Sequence, residues 1–148
     1  MAYVIGIVLA LAVSTYATAM RLDRDRAFYP TVLIVIAAYY VLFAAMGGSG
    51  RVIAVEVGVM GVFVVAASLG FRRSLWLVVA ALAAHGVQDL FHARFIANPG
   101  VPAWWPAFCM TYDVTAAGYL AWRLTRDPAI AQQSPNARPT RLSQELRP

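Results

Sequence analysis

The sequence predicts an all-α, polytopic integral membrane protein: a compact bundle of five transmembrane helices with its N-terminus outside and its C-terminus inside. Three observations carry that prediction. Hydrophobic residues make up 61% of the 148 and charged residues only 13%, with a mean hydropathy of +0.64. A soluble domain carries about 45–50% apolar and about 25% charged residues, so too little polar surface remains to wrap this core in water. The composition excludes a soluble enzyme, a disordered chain and a DNA-binding domain. Second, the apolar residues fall into stretches of span length, each closed by arginines or turn residues. Third, the arginines are distributed unequally between alternate connections.

Each span has its own boundaries, set against the roughly 20 apolar residues that cross a bilayer. The first covers 3–20 and is closed by Arg21, Asp23, Arg24, Asp25 and Arg26. Its Ala17-Thr18-Ala19 resembles a signal-peptide cleavage site, but no basic residue precedes Tyr3, so a retained span is expected. The second, 28–46, runs into Gly47-Gly48-Ser49-Gly50, a turn signal. The third, 52–70, is followed by Arg72-Arg73. The fourth, 74–95, is apolar as far as Ala84 and then carries His85, Asp89, His92 and Arg94. The fifth, 105–124, opens on Trp105-Pro106, where proline suits a first helical turn, and contains Asp113. Residues 1–127 form one transmembrane domain in this reading. Residues 128–148, with four prolines and no apolar periodicity, are expected to be a flexible cytoplasmic tail.

Orientation follows from the arginines. With the N-terminus outside, Arg21, Arg24, Arg26, Arg72, Arg73, Arg123, Arg126, Arg138, Arg141 and Arg147 lie inside, and only Arg51 and Arg94 lie outside. Positive residues favour the cytoplasmic side, and Trp104 and Trp105 then fall at the outer interface. Small size and the use of Arg for all twelve basic residues suggest a bacterial-type inner membrane. The absence of lysine excludes a retinal or pyridoxal Schiff base and a lysine-containing phosphate loop. The single Cys109 excludes an intramolecular disulfide and a cysteine-rich metal site.

Five ionisable side chains lie within the spans: Glu56, His85, Asp89, His92 and Asp113. A charge at mid-helix costs about 2.5–3.5 kcal/mol on insertion scales, so such groups usually face a protein interior and mark function or pairing. His85, Asp89 and His92 recur at i, i+4 and i+7, which places them on one stripe of the fourth helix. At about 1.5 Å of rise per residue, Glu56 and Asp89 lie roughly 8 Å inside the outer face and Asp113 about 12 Å. His85 comes out near 13 Å deep, with His92 at the outer boundary, by the same rise. Three helices thus place polar groups in the outer half of the bilayer.

Three readings of this cluster stay open. Imidazoles and carboxylates bind Zn²⁺, Mn²⁺ or Fe²⁺ and can leave a position for water. His85, Asp89 and His92 are then ligands, Glu56 or Asp113 completes the site or serves as general base, and Tyr39 or Tyr40 steadies an oxyanion. That combination fits a metal-dependent hydrolase near the outer leaflet. Alternatively the same groups relay protons or cations in a carrier. Or they form a structural network in a non-catalytic scaffold, with Arg51 or Arg94 paired to the acids. The bilayer is the expected partner, with a lipid or small-molecule ligand and homo-oligomers compatible with all three readings, and nucleic acid excluded. Cys109, one turn before Asp113, is expected to be a buried inert thiol. Gly58, Gly61 and the run Ala80-Ala81-Leu82-Ala83-Ala84 are expected to be close helix-packing surfaces.

In general character, histidines and acids inside a membrane bundle make the chain similar to the ceramidase-like transmembrane hydrolases, which hold zinc between helices. Those proteins have more spans and three histidine ligands. No continuous segment corresponds, so no residue role is carried over.

Overall fold

A computed structural model describes residues 1–24 and 26–127, and these form five α-helices joined by short connections. They are α1 (Ala2–Ala19), α2 (Phe28–Gly47), α3 (Gly50–Arg72), α4 (Leu75–Phe95) and α5 (Trp105–Arg126). The expected segments are all present as helices, with ends shifted by at most two residues. The tail expected for 128–148 lies outside the described residues.

Four of the helices, α1 to α4, are long and apolar enough to cross a membrane. The fifth is long enough but too polar to count as a candidate span. Asp113, Thr111, Thr115, Arg123 and Arg126 lower its apolar content. A five-span bundle is therefore supported at the level of five helices and four apolar spans.

Local chemistry explains the helix ends. Ser49 and Ser74 cap α3 and α4, accepting from the backbone N–H of Val52 and Trp76. α1 closes with Leu22 N–H bonded to the Ala17 carbonyl and Arg21 N–H to that of Thr18. This is the two-bond pattern of a Schellman end, and Arg21 takes the positive φ of 61° where glycine is usual. The loop before α5 turns on Asn98, whose Oδ1 accepts from Gly100 N–H at 3.2 Å.

α4 lies at the centre, packed on α5, α3 and α2, while α1 packs on the far side of α5. Two close helix approaches onto α5 use glycines the sequence did not single out. A Cβ on Gly6 would strike Thr111 and the Phe108 carbonyl of α5, and one on Gly86 would come within 3.1 Å of the Met110 carbonyl. Gly58 and Gly61 instead face open space on the exposed side of α3, because the buried stripe of that helix runs through Glu56, Phe63, Ala67 and Gly70. Of the alanine run, Ala81 is buried and Ala80 and Ala84 are exposed.

The apolar core occupies one end of the bundle, around Leu33, Val78, Leu82, Leu120 and Leu124. That end is tied off by polar contacts. Asp23, buried, accepts from Thr18 at 2.9 Å and from Arg123 at 3.3 Å, and Arg26 donates to the Gly70 carbonyl at 3.2 Å. The run from Arg21, which the sequence reads most simply as a topology anchor with a secondary contact to anionic lipid, also fastens the α1–α2 turn to α3 and α5.

Candidate functional site

Above this core the five ionisable groups are all buried, each at most 3% exposed. α3, α4 and α5 bring them into one buried region, and α2 contributes as well. The phase of α4 decides much of the geometry: Leu82, His85, Asp89 and His92 share the buried stripe that faces α2, α3 and α5. Gly86 on the same helix lets α5 approach closely enough for Asp113 to reach His85.

The cluster has two parts. In the deeper one, His85 Nδ1 lies 2.6 Å from Asp113 Oδ2 and 3.6 Å from Asp89 Oδ2. The Cys109 thiol donates to Asp113 Oδ2 at 3.9 Å. One ligand atom from each of His85, Asp89, Cys109 and Asp113 lies within 4.8 Å of all the others. Phe63 closes this part from α3, its ring edge-on to His85 at 4.7 Å.

The second part sits nearer the α4–α5 loop. His92 Nε2 is 2.9 Å from Glu56 Oε1, and Asn98 Nδ2 donates to the same oxygen at 2.9 Å and to the Tyr40 carbonyl at 3.1 Å. His92 Nε2 and Glu56 pair with each other, and both stand outside the group of four ligand atoms that converge at His85. The structure therefore separates His92 and Glu56 from the other ligand candidates.

Tyr40 joins the two parts. Its hydroxyl donates to Asp89 Oδ1 at 2.6 Å and its ring stacks on His92 with centroids 4.0 Å apart. Tyr39 is not brought to the cluster: it is partly exposed and packs on Trp105 and Phe43. Tyr112, one position before Asp113 and so about 100° around the helix from it, packs on Phe108 instead.

Among the described residues, the close nitrogen partners of the acids are imidazoles rather than guanidinia. Arg51 and Arg94 are exposed, and the close contacts of Glu56, Asp89 and Asp113 run to His85 and His92. Each of the three carboxylates has one oxygen in a hydrogen bond, while Glu56 Oε2, Asp89 Oδ2 and Asp113 Oδ1 are buried without such a partner. A buried carboxylate oxygen left so is costly, and a cation is one way to satisfy it.

Sequence reasoning weighed Cys109, one turn from Asp113, as a thiol–imidazole partner of His85 and favoured a buried inert thiol instead. Asn98 was missed because a loop side chain has no helical phase to read. No protein-family model, curated protein or solved structure matches this chain.

Proposed function

We propose that the chain is a five-span inner-membrane protein, N-terminus outside and C-terminus inside, that binds one divalent transition-metal ion in the outer half of the bilayer. The ligands are His85, Asp89 and Asp113, with Cys109 as the fourth. One observation carries this reading: four buried ligand atoms converge within 4.8 Å, and each aspartate keeps an oxygen without a hydrogen bond. A divalent ion there offsets the repulsion of two adjacent carboxylates. A donor set of imidazole, carboxylates and thiolate suits zinc or ferrous iron better than manganese. In this reading α5 crosses the bilayer despite Asp113, because that side chain is 0% exposed and is shielded from lipid.

With Cys109 coordinated the centre is closed, as in structural zinc sites; with three protein ligands a position remains for water. The open form is the one that fits hydrolysis near the outer leaflet. Glu56, held by His92 and Asn98, is then the base candidate toward the outer loop, and Tyr40 orients Asp89.

A second reading is favoured by the continuity of the polar groups. Asn98, Glu56, His92, Tyr40, Asp89, His85 and Asp113 follow one another through hydrogen bonds, ion pairs and one ring stack. The polar pieces on either side of the stack, Glu56–His92 and Tyr40–Asp89–His85–Asp113, can each pass a proton, and a water beside the stacked rings would have to join them. Elemental analysis of protein purified without chelator or nickel affinity separates the two. The metal reading expects close to one equivalent, lost in His85→Ala and Asp113→Asn. Metal-free protein that acidifies liposomes under an imposed potential supports the relay instead.

A further inference from the structure

α1 is held by α5, and α2 by α3 and α4, and the seam between these two sets contains a lateral groove of about 620 Å³. That volume lies within the range of about 300–1,000 Å³ usual for small-molecule sites. Thr31, Val35 and Tyr39 form one wall, and Phe108, Cys109 and Tyr112 form the other. Along α2 the groove runs from Phe28 to Tyr39, about 16 Å of helical rise and close to half of a hydrocarbon core about 30 Å thick. Its two ends differ in chemistry. At one, Leu22 lines the groove between the exposed Arg21 and Arg24. The nearby Asp23 carboxylate does not cancel that charge locally, because it is buried and bound by Thr18 and Arg123. At the other, the groove ends on Trp105 and on Cys109, whose thiol reaches the Asp113 carboxylate.

We propose that this groove holds one acyl chain of an anionic membrane phospholipid. The phosphate headgroup sits on Arg21 and Arg24, and the chain lies along α2 with its end against Trp105 and Cys109. The apolar run fits an acyl chain, and the charge at one end selects an anionic headgroup over a neutral one. A bound chain also fills the space on the groove side of Cys109, so it closes the lateral approach to the buried cluster. The proposal rests on the membrane reading above but not on the metal.

The test uses full-length protein with Trp76→Phe, Trp104→Phe and Trp122→Phe, which leaves Trp105 as the one fluorophore; the three replaced rings are each about half exposed. It is reconstituted in phosphatidylcholine vesicles, and either phosphatidylglycerol or phosphatidylcholine brominated near the chain end is added as quencher. Two arginines beside an anionic headgroup predict half-maximal quenching at a phosphatidylglycerol fraction on the order of thirtyfold lower. Arg21→Gln with Arg24→Gln should make the two lipids equivalent, and Thr31→Phe with Val35→Phe should remove the high-affinity quenching by filling the groove. Equal quenching by both lipids in the parent protein, or a preference that survives the arginine changes, overturns the proposal. So does absent quenching with a cross-linkable dimer, which assigns the groove to a second copy. Protein that fails to enter the vesicles is quenched by neither lipid, which distinguishes failure of the membrane reading; loss of the metal reading leaves the assay untouched.

Discussion

The Tyr40 hydroxyl donates to Asp89 Oδ1 at 2.6 Å, and the ring that carries it stacks on His92 at 4.0 Å. The hydroxyl thereby leaves Asp89 Oδ2 aimed toward His85, 3.6 Å away. Removing only the hydroxyl separates these roles. Tyr40→Phe keeps the stacking surface but strands a buried carboxylate oxygen, with an expected loss of about 1–3 kcal/mol in unfolding free energy. As a group orienting a ligand, Tyr40 should also govern metal affinity, which is expected to fall by about 10–100-fold. Tyr39→Phe, on the exposed side of the same helix, should alter neither. Metal titration and denaturant unfolding of the two variants check this, and equal behaviour of the pair rejects a positioning role.

His85 and His92 share a helix face, and spacing alone predicts that loss of either abolishes metal binding. The geometry predicts otherwise. His85→Ala should eliminate bound metal, since His85 Nδ1 lies in the four-atom group. His92→Ala should retain the stoichiometry and lose stability instead, because Glu56 stays buried with Asn98 as its remaining hydrogen-bond donor. Metal content measured beside thermal unfolding gives opposite rankings for these variants. Loss of metal in both returns His92 to the ligand set.

The stripe of His85, Asp89 and His92 was legible because polar groups on an apolar helix reveal its phase, and the rise per residue gave an expected depth of roughly 8 Å for Glu56 and about 12 Å for Asp113. The phase of α2 was not. Apolar residues surround it, so nothing in the sequence distinguishes inward Tyr40 from outward Tyr39. Asn98 carries no periodicity and meets Glu56 only through the path of a loop. Asp23 and Arg26 belong to a charge run that reads as a topology anchor; here the positive-φ residues Arg21 and Arg26 turn the chain back onto α3 and α5. Gly58 and Gly61 had the right composition for packing but the wrong face.

Cys109 offers the sharpest spectroscopic check on the donor set. Its Sγ is 3.9 Å from Asp113 Oδ2 and 1% exposed. Cobalt-loaded protein with a coordinated thiolate absorbs in the near ultraviolet through sulfur-to-metal charge transfer. Cys109→Ser should erase that band and weaken binding while leaving one equivalent of cobalt at saturation. A wild-type spectrum without the band places the thiol outside the coordination sphere and favours the open, three-ligand form.

Orientation can be read with single cysteines in a Cys109→Ser background. The arginine asymmetry predicts that a cysteine at Ser49, before α3, reacts with an impermeant maleimide from outside. One at Arg73, between α3 and α4, should react only after the membrane is opened. The reverse pattern inverts the topology and moves the polar cluster to the inner leaflet.

Gly6 and Gly86 test whether close packing on α5 sets the site geometry. A Cβ at Gly6 runs into backbone, the Phe108 carbonyl, as well as Thr111, so α1 must move away. At Gly86 the nearest atoms, the Met110 carbonyl and Val114 Cγ2, both lie at 3.1 Å, so a few tenths of an ångström of adjustment suffice. Gly6→Ala is therefore expected to lose about 1–3 kcal/mol, the usual range for overpacking, with metal affinity little changed because α1 carries no ligand. Gly86→Ala should be milder in stability yet weaken metal binding, since it pushes Asp113 away from His85. Gly58→Ala, in open space, serves as the neutral control. Unfolding and metal titration of all three variants decide the matter: if Gly86→Ala binds metal as Gly58→Ala does, the α4–α5 separation does not control the centre.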